Sequence, residues 1–169
     1  MKDLIILAGA PGSGKSTVGE LLREEHGFPL IDFGWLRQGH LNNQWSNASQ
    51  EEEQMAFENL IFTIKNYWQH GYRNLVVTDL QEDKVKALAE VFNQKNYVVV
   101  TLVISDDTEL KRRVLGERDS GFKNTDEAIQ WNTELKLRPL FPHEHRIDNT
   151  HNNPKKTVKE IADLINFSK

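Results

Sequence analysis

Residues 9–16 read G-A-P-G-S-G-K-S. The spacing fits G-x-x-x-x-G-K-[ST], a loop whose backbone N–H groups hold phosphate oxygens. Gly9, Ala10, Pro11, Gly12, Ser13 and Gly14 form the cradle. Lys15 is placed to reach β- and γ-phosphates, and the Ser16 hydroxyl to hold Mg²⁺. Thr17 completes the candidate nucleotide-binding set. Two acids end apolar runs further on: Asp32 closes F-P-L-I-D and Asp79 closes N-L-V-V-T-D. A carboxylate in such a place can orient or deprotonate a hydroxyl, or bind a metal through water.

The elements around the octet are those the motif requires. Residues 3–8 (D-L-I-I-L-A) have strand length, and Lys15 to Glu25 is helical with Val18, Leu21 and Leu22 on one face. Strand, glycine loop and helix N-terminus together set phosphate on the positive end of a helix. Downstream the pattern alternates. Strands are expected over 28–32, 74–79, 97–104 and 145–148. Helices are expected behind the capping box Ser49-Gln50-Glu51-Glu52, over 82–93, after Asp106 and Asp107, after Thr125, and from Pro154. Residues 34–48 read as irregular. The expected fold is α/β: a three-layer α/β/α P-loop fold with about five parallel strands and helices on both faces. Ligands in such sheets bind at the carboxyl ends of the strands. That rule selects the glycine loop, Asp32, Asp79 and the stretch from Asp148 to Thr150.

The chain has 169 residues, which fits one domain, and a formal net charge of -4. The acidic balance disfavours a nucleic-acid partner. With no cysteine, disulfides, thiol catalysis and thiolate metal sites are ruled out. No apolar run approaches the roughly 18 residues of a membrane span. The first strand starts at about residue 3 and leaves no room for a signal peptide. A cytoplasmic address follows as the expectation, with the chain a monomer or a homodimer. Guanine-nucleotide hydrolases are disfavoured, because Asp79 lacks the glycine three residues on and no Asn/Thr-Lys-x-Asp motif is present. A large motor or AAA-type ATPase is disfavoured by length.

The stretch G-A-P-G-S-G-K-S-T-V-G-E-L-L-R-E-E-H-G-F-P-L-I-D resembles the opening of small-molecule and nucleotide kinases. These include shikimate kinases, gluconate kinases, adenylate-kinase-like enzymes and antibiotic phosphotransferases on the same core. The resemblance is strong over Leu4 to Asp32 and otherwise rests on strand order and spacing. It implies transfer of the γ-phosphoryl group of MgATP to a hydroxyl or phosphate of a small acceptor, with ATP and Mg²⁺ as cofactors. It also implies a substrate region over 34–70 and an arginine-bearing lid over 111–124. No subfamily fits throughout. The second acid of a shikimate kinase Asp-x-Asp is absent from Asp32-Phe33-Gly34, and Thr78-Asp79-Leu80 replaces its glycine triplet. Of the Asp-Gly-Phe-Pro-Arg of nucleoside-monophosphate kinases only the Asp is present, although Leu36-Arg37 matches the end of their substrate loop.

Each residue so selected also has an ordinary structural role open to it. Asp32 reads as the acceptor-orienting group and equally as a turn or cap aspartate. Asp79 reads as a metal or substrate ligand and equally as a helix cap. Which of the two is the base stays open. In the lid, Arg118 is the first choice for charge stabilisation on the transferred group, with Arg112 or Arg113 facing the nucleotide, and a solvated helix face is the alternative. Arg138 is a weaker rival. Asn149 and Pro154 fall where resembling kinases contact adenine. Trp35 and Trp45 offer flat faces to a ring-shaped acceptor, though each also suits packing of the flap. Arg37 suits an acceptor phosphate or a surface ion pair, and His40 lies in the same region. His143 and His145 lack further ligands at metal spacing and read as structural. Beyond a kinase, the other readings are a nucleoside or nucleotide kinase, a polynucleotide 5′-end kinase and a non-catalytic nucleotide-binding regulator.

Overall fold

The computed structural model of the protein describes residues 1–42, 49–116 and 122–167. The elements run β1 (Leu4–Gly9), α1 (Lys15–His26), β2 (Leu30–Asp32), α2 (Phe33–Gln38), α3 (Gln50–Gln69), β3 (Leu75–Thr78) and α4 (Glu82–Val91). They continue with β4 (Tyr97–Val103), α5 (Asp107–Leu115), α6 (Thr125–Leu137), β5 (Glu144–Asp148) and α7 (Pro154–Phe167). The five strands form one sheet in the order β2-β3-β1-β4-β5, and every pairing is parallel. The first strand is therefore central, and the chain reverses its direction of sheet growth beside it. Its carboxyl end is the place where such a sheet opens a crevice.

The strands are apolar because both faces are covered. β1, β3 and β4 are buried along their whole lengths. On one face Ile5, Leu7, Val76, Val98 and Val100 pack against Val18 and Leu22 of α1 and Val158, Ile161 and Ile165 of α7. On the other, Leu4, Ile6, Leu75, Val77 and Val99 meet Phe33 of α2, Phe57, Leu60 and Ile64 of α3, and Val85 and Leu88 of α4. The three-layer α/β expectation holds.

Local differences from the sequence reading have local causes. Residues 33–38 are helical rather than irregular, because the Asp32 side chain accepts from the Gly34 amide at 2.8 Å and starts α2. The helix after the lid is capped by Asn124, which accepts from the Glu127 amide at 3.2 Å, while Thr125 is its first residue. Ser49 caps α3 as its capping box requires, accepting from the Glu52 amide at 3.2 Å. Pro154 opens α7 as expected. Among the described residues no helix is long and apolar enough to cross a membrane.

Candidate active site

The glycine loop lies between the buried end of β1 and the first turn of α1. Gly14 caps that helix with φ of 100°, a conformation only glycine takes without strain. A Cβ there would also stand 2.7 Å from Nδ2 of Asn149. The position thus has to be glycine both for its backbone and for its neighbour. Lys15 Nζ donates to the carbonyls of Gly9 at 2.7 Å and Ala10 at 3.1 Å, so its ammonium is held over the loop. Ser16 and Thr17 are exposed at the helix start.

Asn149 ties the loop after β5 to this cradle. Its Nδ2 donates to the Ser13 carbonyl at 2.8 Å, and its Oδ1 accepts from the Thr157 hydroxyl at 2.5 Å. Arg113 braces the same loop, donating to the carbonyls of Thr150 at 2.6 Å and Asn149 at 3.1 Å. Arg112 instead lies in solvent, its side chain 72% exposed and paired with Glu109 at 2.7 Å. Between them, Arg112 and Arg113 hold the Glu109 carboxyl at about 2. Asn149 thus acts through the loop backbone. Replacing Asn149 by Ala leaves the Ser13 carbonyl and Thr157 hydroxyl buried without it. The expected cost is about 1–3 kcal/mol in a urea titration, with weaker ATP binding by calorimetry.

Asp32 and Asp79 come together at the ends of β2 and β3. A Cβ added to Gly34 would stand 2.6 Å from Oδ2 of Asp79 and 3.0 Å from Oδ1 of Asp32. The two carboxylates thus share the space over one glycine. Asp79 has φ of 63°, an uncommon conformation for a residue with a side chain. It is not a helix cap, since Gln81 holds that position in α4. Asp32 caps α2 and lies at the carboxyl end of β2 beside Asp79. Burial first, and then the Asp79 charge, push the Asp32 carboxyl above the ordinary aspartate value. The Gly34 and Trp35 amides and Lys15 act in the opposite sense but do not cancel the rise. Removing the Asp79 charge should therefore lower the Asp32 pKa. A ¹³C NMR titration of Asp32 in Asp79→Asn checks this, and an unmoved midpoint would separate the two carboxylates.

Trp35 is 61% exposed at the start of α2. Arg37 pairs with Glu53 of α3 at 2.7 Å. Trp45 and Arg118, the first-choice lid arginine, lie outside the described residues. His143 packs edge-on against Tyr97, in keeping with a structural role. Among the described residues no group of three or more His, Cys, Asp or Glu side chains could hold a metal ion.

Sequence reasoning underrated Arg138. Its guanidinium lies 2.9 Å from Glu82 of α4 and donates twice to Glu144 of β5, each at 2.8 Å. It also stacks 3.8 Å from the centroid of Phe141. The Glu144 side chain is fully buried and accepts as well from the Thr101 hydroxyl and the Phe141 amide. Arg138 and Glu82 border a narrow gap of about 10 Å³, room for about one water, also lined by Gly9, Leu80, Trp131 and Phe141. The sequence offered no signal, because β5 reads E-H-R-I-D and Glu144 is one polar residue among several there. Asn132 was missed too: it is buried and exchanges hydrogen bonds with the Ile104 amide and carbonyl at the end of β4.

A central parallel strand ending in a phosphate-binding loop defines a P-loop protein of kinase topology. A family model described as an AAA domain matches residues 5–132. The chain belongs to that family, and its core is that of the P-loop nucleotide and small-molecule kinases. The expectation against an AAA-type protein, drawn from length, is corrected to that extent. An adenylate kinase of Helicobacter pylori (strain HPAG1) is 24% identical over 187 residues, covering 98% of this chain and 97% of the relative. A gluconokinase from Sinorhizobium meliloti superposes with a TM-score of 0.69 at 18% identity, over 99% of this chain and 94% of its own. A shikimate kinase from Acinetobacter baumannii, solved with shikimate, gives 0.64 at 22% identity, over 100% and 96%.

Proposed function

We propose that the protein is an ATP-dependent kinase that transfers the γ-phosphoryl group of MgATP to a hydroxyl or phosphate of a small molecule. The observation that carries this reading is the carboxylate pair over Gly34, at the ends of the two strands on one side of the phosphate cradle. Binding MgATP alone calls for one acid directed at the metal, whereas a second acid beside it suits an acceptor. Phosphoryl transfer needs positioning, charge neutralisation and a group to orient the acceptor. The loop amides and Lys15 hold the phosphates. Asp32 orients the acceptor hydroxyl and takes up its proton. Its raised pKa brings it closer to the working range of a base. Arg118, in the lid over 111–124, is assigned to the charge on the transferred group. Asn149 and Pro154 form the nucleotide side, and Trp35 and Arg37 the acceptor side.

The residues fit Mg²⁺. Ser16 and Asp79 offer hard oxygen donors, and a bound cation would offset the Asp79 charge that, after burial, raises Asp32. Few protein ligands are needed, because Mg²⁺ is usually held by one or two carboxylates together with substrate phosphates. When bound it would neutralise phosphate charge. Residues 1–169 are proposed as one such domain, cytoplasmic, acting as a monomer or homodimer. A nucleoside or nucleotide acceptor is the second reading, favoured by the adenylate kinase relative. Acceptor-stimulated ADP release, screened over sugars, cyclitols, nucleosides and nucleotides, tests the proposal. Tight ATP binding with no acceptor-stimulated release would identify a nucleotide-binding regulator instead.

A further inference from the structure

Gly34 is the second residue of α2 and is buried. It is not among the glycines with positive φ, so its backbone conformation is open to any residue. Glycine inside a helix carries a cost relative to alanine, and its own conformation gives no return for that cost. The reason lies in the space beside it. The three atoms nearest a Cβ at position 34 would be Oδ2 of Asp79 at 2.6 Å, Oδ1 of Asp32 at 3.0 Å and Cγ of Asp79 at 3.6 Å. All three belong to the two carboxylates. The side-chain space of residue 34 is thus filled from the end of β3.

The two acids are not equally free to yield. Oδ1 of Asp32 accepts from the Gly34 amide at 2.8 Å and starts α2, so it stays with the helix. Asp79 reaches across from another element. Its backbone is set between Thr78 and Leu80, both buried, at φ of 63°, which leaves its short side chain as the part that can move. At 2.6 Å its Oδ2 lies well inside contact distance for a carbon atom. A methyl group at position 34 therefore pushes the Asp79 carboxylate out of the space it shares with Asp32.

We propose that Gly34 is a positioning residue of the transfer site: its missing side chain keeps open the place in which Asp79 works beside Asp32. The proposal rests on the kinase reading above for what the pair does. It adds that the site needs a second carboxylate at that place, whichever element carries it. A side chain at 34 separates the acids and spares the fold. A carboxylate on residue 34 itself fills the same place once Asp79 is cut back to glycine, a residue that also suits the positive φ at position 79.

One measurement needs no substrate. Urea titrations of the wild type, Gly34→Ala, Asp79→Gly and the double variant close a stability cycle. Gly34→Ala should be less favourable with Asp79 present than in Asp79→Gly, by about fivefold or more in the folding constant. Additive effects overturn the proposal. The second measurement is acceptor-dependent ADP release over sugars, cyclitols, nucleosides and nucleotides. Gly34→Ala should lower kcat by about 10- to 100-fold, the cost of a misplaced group, and should add nothing to Asp79→Gly. Gly34→Asp combined with Asp79→Gly should recover about tenfold or more over Asp79→Gly alone. Full turnover in Gly34→Ala overturns the proposal, as does a combined variant no better than Asp79→Gly. Absence of transfer by the wild type to every acceptor removes the kinase reading instead, and the stability cycle then still decides whether Gly34 places Asp79.

Discussion

Lys15→Ala should reduce acceptor-dependent ADP release by about 100- to 1000-fold or more, the usual consequence of losing one preorganised donor to developing charge. The fold should survive. Lys15 Nζ bonds the loop carbonyls of Gly9 and Ala10, and its side chain is not part of the buried core. The variant should therefore match the wild type in thermal denaturation while failing to turn over. The effect should fall on kcat more than on KM. Lys15 gains most as charge shifts during transfer, whereas the loop amides still bind the ground state. Lys15→Arg should not rescue, because a planar fork does not replace a compact ammonium in a cradle sized for it. Unchanged turnover in Lys15→Ala would remove Lys15 from the mechanism.

The largest effect on stability is expected at Arg138. Arg138→Leu leaves Glu144 buried and charged, with only the Thr101 hydroxyl and the Phe141 amide as partners. Breaking a buried pair in this way costs about 3–5 kcal/mol, a fall in Tm on the order of 10 °C for a chain of this size. The pH dependence gives a sharper check. In the wild type, burial raises the Glu144 carboxyl, but the Arg138 hydrogen bonds, Thr101 and the Phe141 amide outweigh it, and the net shift is downward. Such a group contributes stability that is present above its unfolded pKa and lost as pH falls through its folded one. Without Arg138, burial dominates and the Glu144 pKa rises, so protonation relieves the variant. The stability gap between the two proteins should thus be wide near about pH 7 and narrow near about pH 4. A gap independent of pH would assign the loss to packing against Phe141.

Much of the donor half was legible in the sequence. The octet at 9–16, the apolar strands and the strand-end acids each follow from local pattern, and the sheet brings them to one edge. Asp32 was legible as a strand-end acid suited to a cap, but the helix it starts was not, because a short helix started by its own side chain leaves no apolar period to read. Arg138 was harder to place. Its partners Glu82 and Glu144 come from other elements, and only the packing of α6 against β4 and β5 brings them within reach. Arg112 and Arg113 read alike as neighbours on one helix. The turn of α5 separates them, sending one to solvent and the other to the carbonyls of Asn149 and Thr150. The acceptor is the least legible feature. Residues 34–70 match no single subfamily, so spacing there selects no substrate.

The central claim is transfer of a phosphoryl group rather than nucleotide binding alone. The most direct measurement follows γ-labelled ATP incubated with Mg²⁺ and a panel of sugars, cyclitols, nucleosides and nucleoside monophosphates. Label should appear on an acceptor in amounts equal to the ADP formed, and none with Lys15→Ala. Bound ATP with no labelled acceptor, or label appearing only as inorganic phosphate, would contradict it.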